Sequence, residues 1–115
     1  MKTLDDIKLP DDVRALLDRL VEVTKELCDP EAIILFGSWA EGRAKPDSDI
    51  DVIVIVDVPD PWDLAFRIRR EILSLDRGID ILVLTPDDWE RYREWPAFAP
   101  YYAARLGVMV LGRAA

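Results

Sequence analysis

Two strand-length apolar runs, residues 50–56 (IDVIVIV) and 79–84 (IDILVL), carry aspartate where they begin. β-Branched side chains dominate the first run and recur in the second, and such residues suit a pleated, packed surface. Successive strand residues point to opposite faces, so Asp49 and Asp51 share one face while Ile50 and Val52 occupy the other. Two carboxylates side by side at the mouth of a buried strand lose hydration and repel each other, which is costly unless something neutralises them. Asp80 stands near the start of the second run in the same way. If the two strands are neighbours, Asp49, Asp51 and Asp80 converge at one sheet edge, with carboxyl oxygens within about 6 Å of one another. An all-oxygen site of this kind suits hard divalent ions such as Mg2+. Two such ions about 4 Å apart form the clamp used for in-line phosphoryl and nucleotidyl transfer.

The remaining sequence predicts helices around these strands. Residues 10–27 place Val13, Leu16, Leu17, Leu20, Val21, Thr24 and Leu27 at helical spacing, behind a favourable start at Pro10, Asp11 and Asp12. Asp29-Pro30 ends that helix, and residues 31–36 form a short apolar strand ending at Gly37. Residues 38–42 fit one helical turn, followed by a polar loop through Ser48. Residues 62–76 read as a second amphipathic helix with Leu64, Ala65, Ile68, Ile72 and Leu75 inward. Arg77-Gly78 then turns the chain into strand 79–84. Thr85 caps a short helix bearing Trp89 and Tyr92, Pro96 opens a last helix to about Leu106, and residues 108–111 form a final strand. This order predicts an α/β (α+β) fold, a small mixed sheet flanked by helices. A length of 115 residues suits one domain spanning 1–115.

Composition narrows the chemistry. The chain has no histidine, which excludes Ser-His-Asp and Cys-His nucleophilic systems and a histidine general base. Cys28 is the single cysteine, so no internal disulfide or thiolate zinc cage is possible, and its expected role is a half-buried thiol. Catalysis must rest on carboxylates, hydroxyls and cations. The net charge of −8 and the lack of a basic stripe argue against direct nucleic-acid binding, and an acidic surface suits a basic protein partner. No run approaches the ~20 apolar residues of a membrane span, and the acidic N-terminus is unlike a secretory signal; a cytoplasmic location is expected. Core packing is the expectation for most of Trp62, Trp89, Trp95, Tyr92, Tyr101 and Tyr102, with Trp95-Pro96 and Tyr101-Tyr102 the candidates for an interface. The acidic stretch 57–63 reads as a solvated turn.

Gly37-Ser38 supplies what three acids cannot. Glycine lets the backbone approach a phosphate closely, and Ser38, after a strand, offers backbone N–H and a hydroxyl to an anion. Ser38-x-x-Glu41 is also a capping-box pattern, and a capping hydroxyl can still donate to phosphate. A triphosphate could lie between this turn and ions held by the acids.

Gly37-Ser38, ten intervening residues and Asp49-x-Asp51 resemble the signature of the minimal nucleotidyltransferases (MNT), within the DNA polymerase β-like nucleotidyltransferase superfamily. The text GSWAEGRAKPDSDIDVIVIV and the later RGIDILVL are similar to that family over roughly residues 32–84. The resemblance implies a nucleotidyltransferase fold, ATP as substrate and two Mg2+ ions. It implies that Asp49 and Asp51 bind both metals, that Asp80 binds the catalytic metal and helps deprotonate the attacking hydroxyl, and that Gly37 and Ser38 hold the β- and γ-phosphates. Many relatives read GSRARG where this chain has Trp39 and Glu41, so Arg43 and Lys45 are the nearby cations left to face phosphate. Many MNT proteins, MntA-like antitoxins among them, are paired with a HEPN-domain RNase toxin, and some adenylylate a tyrosine on it. The implied function is therefore Mg-dependent transfer of AMP from ATP to a HEPN toxin. The alternatives are an antitoxin that only docks, or an enzyme modifying a small antibiotic-type molecule. A homo- or hetero-oligomer is compatible with each.

Overall fold

The two aspartate-bearing runs are neighbours. In the computed structural model, which describes residues 1–72 and 77–112, β3 (Ile50–Ile55) pairs in parallel with β4 (Ile79–Leu84), setting Asp51 beside Asp80. A parallel pair needs a crossover, supplied by helix α3 (Pro61–Glu71). On its other side β3 runs antiparallel to β2 (Ala32–Phe36), opposing Asp51 to Phe36. β2 in turn pairs with β5 (Val108–Gly112), and a two-residue β1 (Lys2–Thr3) closes the far edge. The sheet order is β1-β5-β2-β3-β4, mixed in direction, with β4 an edge strand. β1 and the short 3-10 turn Leu4–Asp6 that follows it have no hydrophobic period long enough to betray them in sequence.

Strand alternation sorts the side chains onto two faces. Ile33, Leu35, Ile50, Val52, Val54, Ile81 and Val83 pack against helix α1 (Asp11–Leu27) and α3. Ala32, Ile34, Ile53, Ile55 and Leu84 pack on the other face against Trp89 of α4 (Pro86–Tyr92) and Ala103 of α5 (Ala99–Leu106). Asp49, Asp51 and Asp80 belong by parity to this second face. The cover on that face is complete at Ile53, partial at Asp51 and gone at Asp49 and Asp80. The acids thus sit where two paired strands begin, with that end of the sheet in water, which resolves their placement without a fully buried charge.

Several boundaries shift for physical reasons. The last helix begins at Ala99 rather than Pro96, because Ala97 adopts φ +76° and Tyr92, Trp95 and Phe98 gather into an aromatic cluster ahead of it, edge-on between Tyr92 and Trp95 and tilted at Phe98. On α1 the inward stripe takes Val23, three residues after Leu20, while Val21 sits on its shoulder. α3 buries Leu64, Ala65 and Ile68, with Ile72 just beyond it; Leu75 lies outside the described residues. Trp62 is 83% exposed at the start of α3, and among the tryptophans only Trp89 is buried, so core packing fails for most of these aromatics. In the acidic stretch, Asp60 is more than a solvated turn residue: its Oδ1 accepts from the Asp63 N–H at 3.1 Å and caps α3. Cys28 is half-buried, as its place at a helix end implied, with Sγ donating to the Thr24 carbonyl.

Thr24 is fully buried on α1, and its hydroxyl has no hydrogen-bond partner among the described residues. An unpaired buried hydroxyl costs about 1–3 kcal/mol. Thr24→Val keeps the shape and removes the polar atom, so it is expected to stabilise the fold by about 1 kcal/mol, a rise of ~4 °C in Tm measurable by thermal denaturation.

Candidate active site

The sequence of β3 places Asp49 and Asp51 one pleat apart, and the register with β4 adds Asp80 beside Asp51. Asp51 is central. It lies between Phe36 on β2 and Asp80 on β4, and its carboxyl pKa is pushed up to about 6. Burial is the largest cause, followed by the Asp80 charge, a carboxyl–carboxyl hydrogen bond to Asp80 that requires the proton, and the Asp49 charge. Arg43 acts in the opposite direction, so its guanidinium is near enough to be felt at the acid edge.

Two glycines leave room for these carboxylates. Gly37, immediately after β2, adopts φ +73° and ψ −154°, a region essentially reserved for glycine. A Cβ at Gly37 would run into the Asp51 carboxylate, and one at Gly78 would run into that of Asp49. Gly78 was expected only to turn the chain. Its close approach to Asp49 comes from the β3–β4 register, in which the Ile50 N–H donates to the Gly78 carbonyl at 3.0 Å.

The short helix α2 (Ser38–Glu41) follows Gly37 as anticipated, but Ser38 makes no capping-box contact: Gly37 is the N-cap and no side chain caps the turn. The Ser38 hydroxyl is therefore not committed to that role. Glu41 pairs instead with Arg43, Nε to Oε1 at 3.2 Å. Trp39 turns away from any phosphate role, its Nε1 donating to the Ser48 carbonyl at 2.9 Å. Arg77 donates to the same carbonyl at 3.0 Å and pairs with Asp12 at 2.8 Å, which holds the Asp12 carboxyl below its ordinary value. No periodicity or motif in the sequence signals this convergence on Ser48.

Asp51 and Asp80 are thus brought together, and Asp49 flanks Asp51 closely enough to act on it by charge. Among the described residues, no group of three acidic, histidine or cysteine side chains is already closed around one point. The donor set is an open one, a pair and a neighbour. Its chemistry nonetheless fits divalent cations: all donors are carboxylate oxygens, their mutual repulsion calls for positive charge, and two glycines keep side chains out of their space. A groove of about 560 Å3 runs along β4 beyond Asp80, between Trp62 and Phe66 of α3 and Tyr92 of α4, and is not lined by Asp49, Asp51 or Asp80. Among the described residues no helix is long and apolar enough to cross a membrane.

Comparison with known proteins agrees with this geometry. A family model described as polymerase beta nucleotidyltransferase matches residues 18–94, a span containing both acid-bearing strands. No curated protein matches the sequence significantly. Among solved structures, a Sulfolobus solfataricus protein assigned as a nucleotidyltransferase superposes with a TM-score of 0.59 at 21% identity, covering 89% of this chain and 84% of its own. A toxin–antitoxin complex with AMP-PNP gives 0.57 at 21% identity, over 84% of this chain and 73% of the other. A Shewanella oneidensis MNT antitoxin complex with tri-AMPylated HEPN toxin gives 0.55 at 20% identity, over 87% and 72%. At such identities the likeness is one of fold. The family match, spanning well over half of the sequence and both strands that carry the aspartates, shows that the chain belongs to the polymerase beta-like nucleotidyltransferases.

Proposed function

We propose that the protein transfers AMP from ATP to a hydroxyl, a tyrosine side chain, of a HEPN-domain toxin and so acts as its antitoxin. The observation that carries this reading is the parallel pairing of Asp51 on β3 with Asp80 on β4, flanked by Asp49, at a sheet end open to water. Solved neighbours of the same fold support it, one holding AMP-PNP and another a tri-AMPylated HEPN toxin with its MNT antitoxin.

Asp49, Asp51 and Asp80 would hold two Mg2+ ions, which when bound neutralise charge on the phosphates and favour the ionised form of the attacking hydroxyl. The chain's own residues do the positioning. Gly37 and Ser38 hold the β- and γ-phosphates through backbone N–H groups and the Ser38 hydroxyl, and Arg43, paired with Glu41, is the cation whose charge reaches Asp51. The acceptor oxygen bonds to the α-phosphorus as the bond to the bridging oxygen breaks. Pyrophosphate leaves, and Asp80, the more exposed of the paired acids, takes the hydroxyl proton.

The test is incubation of the protein with labelled ATP, Mg2+ and the HEPN-domain product of the adjacent gene. Label on a tyrosine of that protein, lost in Asp80→Asn, is the expected result. Docking alone is favoured by the open donor set and by the Glu41 contact that engages Arg43. It would show as toxin inhibition without label, unchanged in the Asp49→Ala, Asp51→Ala double variant. Label on an aminoglycoside instead would point to small-molecule transfer.

A further inference from the structure

Two side chains from distant parts of the sequence meet on one backbone oxygen next to the acid edge. The Ser48 carbonyl accepts from Trp39 Nε1 at 2.9 Å and from Arg77 NH1 at 3.0 Å, so both of its lone pairs are used. The Arg77 guanidinium also stacks over the Trp39 ring, 5.3 Å from its centroid, and its NH2 pairs with Asp12 at 2.8 Å. Its side chain is only 15% exposed. Ser48 immediately precedes Asp49, and Arg77 immediately precedes Gly78, against which the Asp49 carboxylate packs.

We infer that Trp39 and Arg77 are positioning residues for Asp49. Together they bind the entrance of β3 to the entrance of β4 and set the Asp49 carboxylate against the Asp51–Asp80 pair. Among the described residues the other hydrogen bonds of this loop are local, such as the Lys45 N–H to Ser48 Oγ at 2.8 Å and the Ser48 N–H to the Lys45 carbonyl at 3.0 Å. They shape the turn but do not tie it to β4. The residue whose basic counterpart would have faced phosphate is thus a brace for a metal-binding acid, an assignment that rests on Asp49 being a ligand as proposed above. Neither Trp39 nor Arg77 touches a reactant in this scheme.

Two readouts on Trp39→Phe, Arg77→Lys and Asp12→Asn test it. Trp39→Phe removes the N–H together with half of the indole but leaves an aromatic face for the guanidinium; Arg77→Lys keeps charge but cannot bridge Ser48 and Asp12 as a planar fork. Hydrogen exchange of the Ile50 amide, bonded to Gly78, is expected to quicken by about 10-fold in both while the β2–β5 amides hold. Mn2+ titration of the same proteins is expected to show affinity weakened by about 10-fold, with the metal-free Tm moved by no more than a few degrees. Asp12→Asn leaves both Ser48 donors in place and should leave Mn2+ affinity unchanged. Unchanged exchange at Ile50 in Trp39→Phe overturns the inference, and so does a lowered Tm with unchanged Mn2+ affinity. If the wild type binds no Mn2+ while Ile50 exchange still quickens, the metal reading of the acids fails and the brace stands. Should Arg77→Lys not fold, Trp39→Phe carries the test alone.

Discussion

Asp51→Asn is expected to reduce AMP transfer by about 10³-fold while making the metal-free protein more stable. The two effects have one cause. Asp51 is held between partial burial and the Asp80 and Asp49 charges, and its pKa rises from an ordinary 3.8 to about 6. In the folded protein the proton is held more tightly than in the unfolded chain, so the site is least unfavourable below about pH 4. Its stability contribution is then lost as pH rises through about 6 and stays lost above that. Asparagine carries no charge to repel. After allowance for solvent at this partly exposed site, the gain at pH 7 is about 1 kcal/mol. Thermal melts of metal-free wild type from pH 4 to 7 should fall by a few degrees, and that slope should be weaker in Asp51→Asn. A variant that loses transfer and also loses metal-free stability would contradict the like-charge account. Mn2+ or Mg2+ should raise the Tm of wild type more than that of the variant.

Gly37→Ala is the second large effect, and here activity and stability fall together. The backbone at Gly37 lies where an L-residue is strained, at a cost of about 1–3 kcal/mol. Its new Cβ would also press on the Asp51 carboxylate. Relief requires moving either the β2–α2 turn or Asp51, and both belong to the proposed site. A loss of about 2 kcal/mol in chemical denaturation and at least ~10²-fold in transfer is expected. Ser38→Ala separates the two contributions: it leaves the turn intact and should raise the KM for ATP with little change in stability. If Gly37→Ala transfers AMP normally, the turn is not a phosphate hand.

Much of this fold was legible because its signals are local. The α1 stripe, the β2, β3 and β4 runs and the Thr85 cap of α4 each rest on a period or a capping residue that neighbours in sequence supply. The α5 start is not legible in the sequence, because the left-handed Ala97 and the Tyr92–Trp95–Phe98 cluster depend on packing and leave no periodic trace. The exposure of Trp62 is not legible either, because hydrophobicity alone does not say which residues of a helix meet the sheet.

Within the site, the sequence by itself determined which residues share a face: Asp49 and Asp51 by strand alternation, and Gly37-Ser38 as a turn after an apolar strand. Three-dimensional pairing decided the rest. Only the parallel register sets Asp80 beside Asp51 and Gly78 beside Asp49, because hydrogen bonding between strands relates residues that the chain separates by about thirty positions. Only packing turns Trp39 from a missing phosphate contact into a donor to Ser48, and brings Arg77 onto the same oxygen. A side chain's partner is set by where the backbone returns, and that information lies in the tertiary structure rather than in any local pattern.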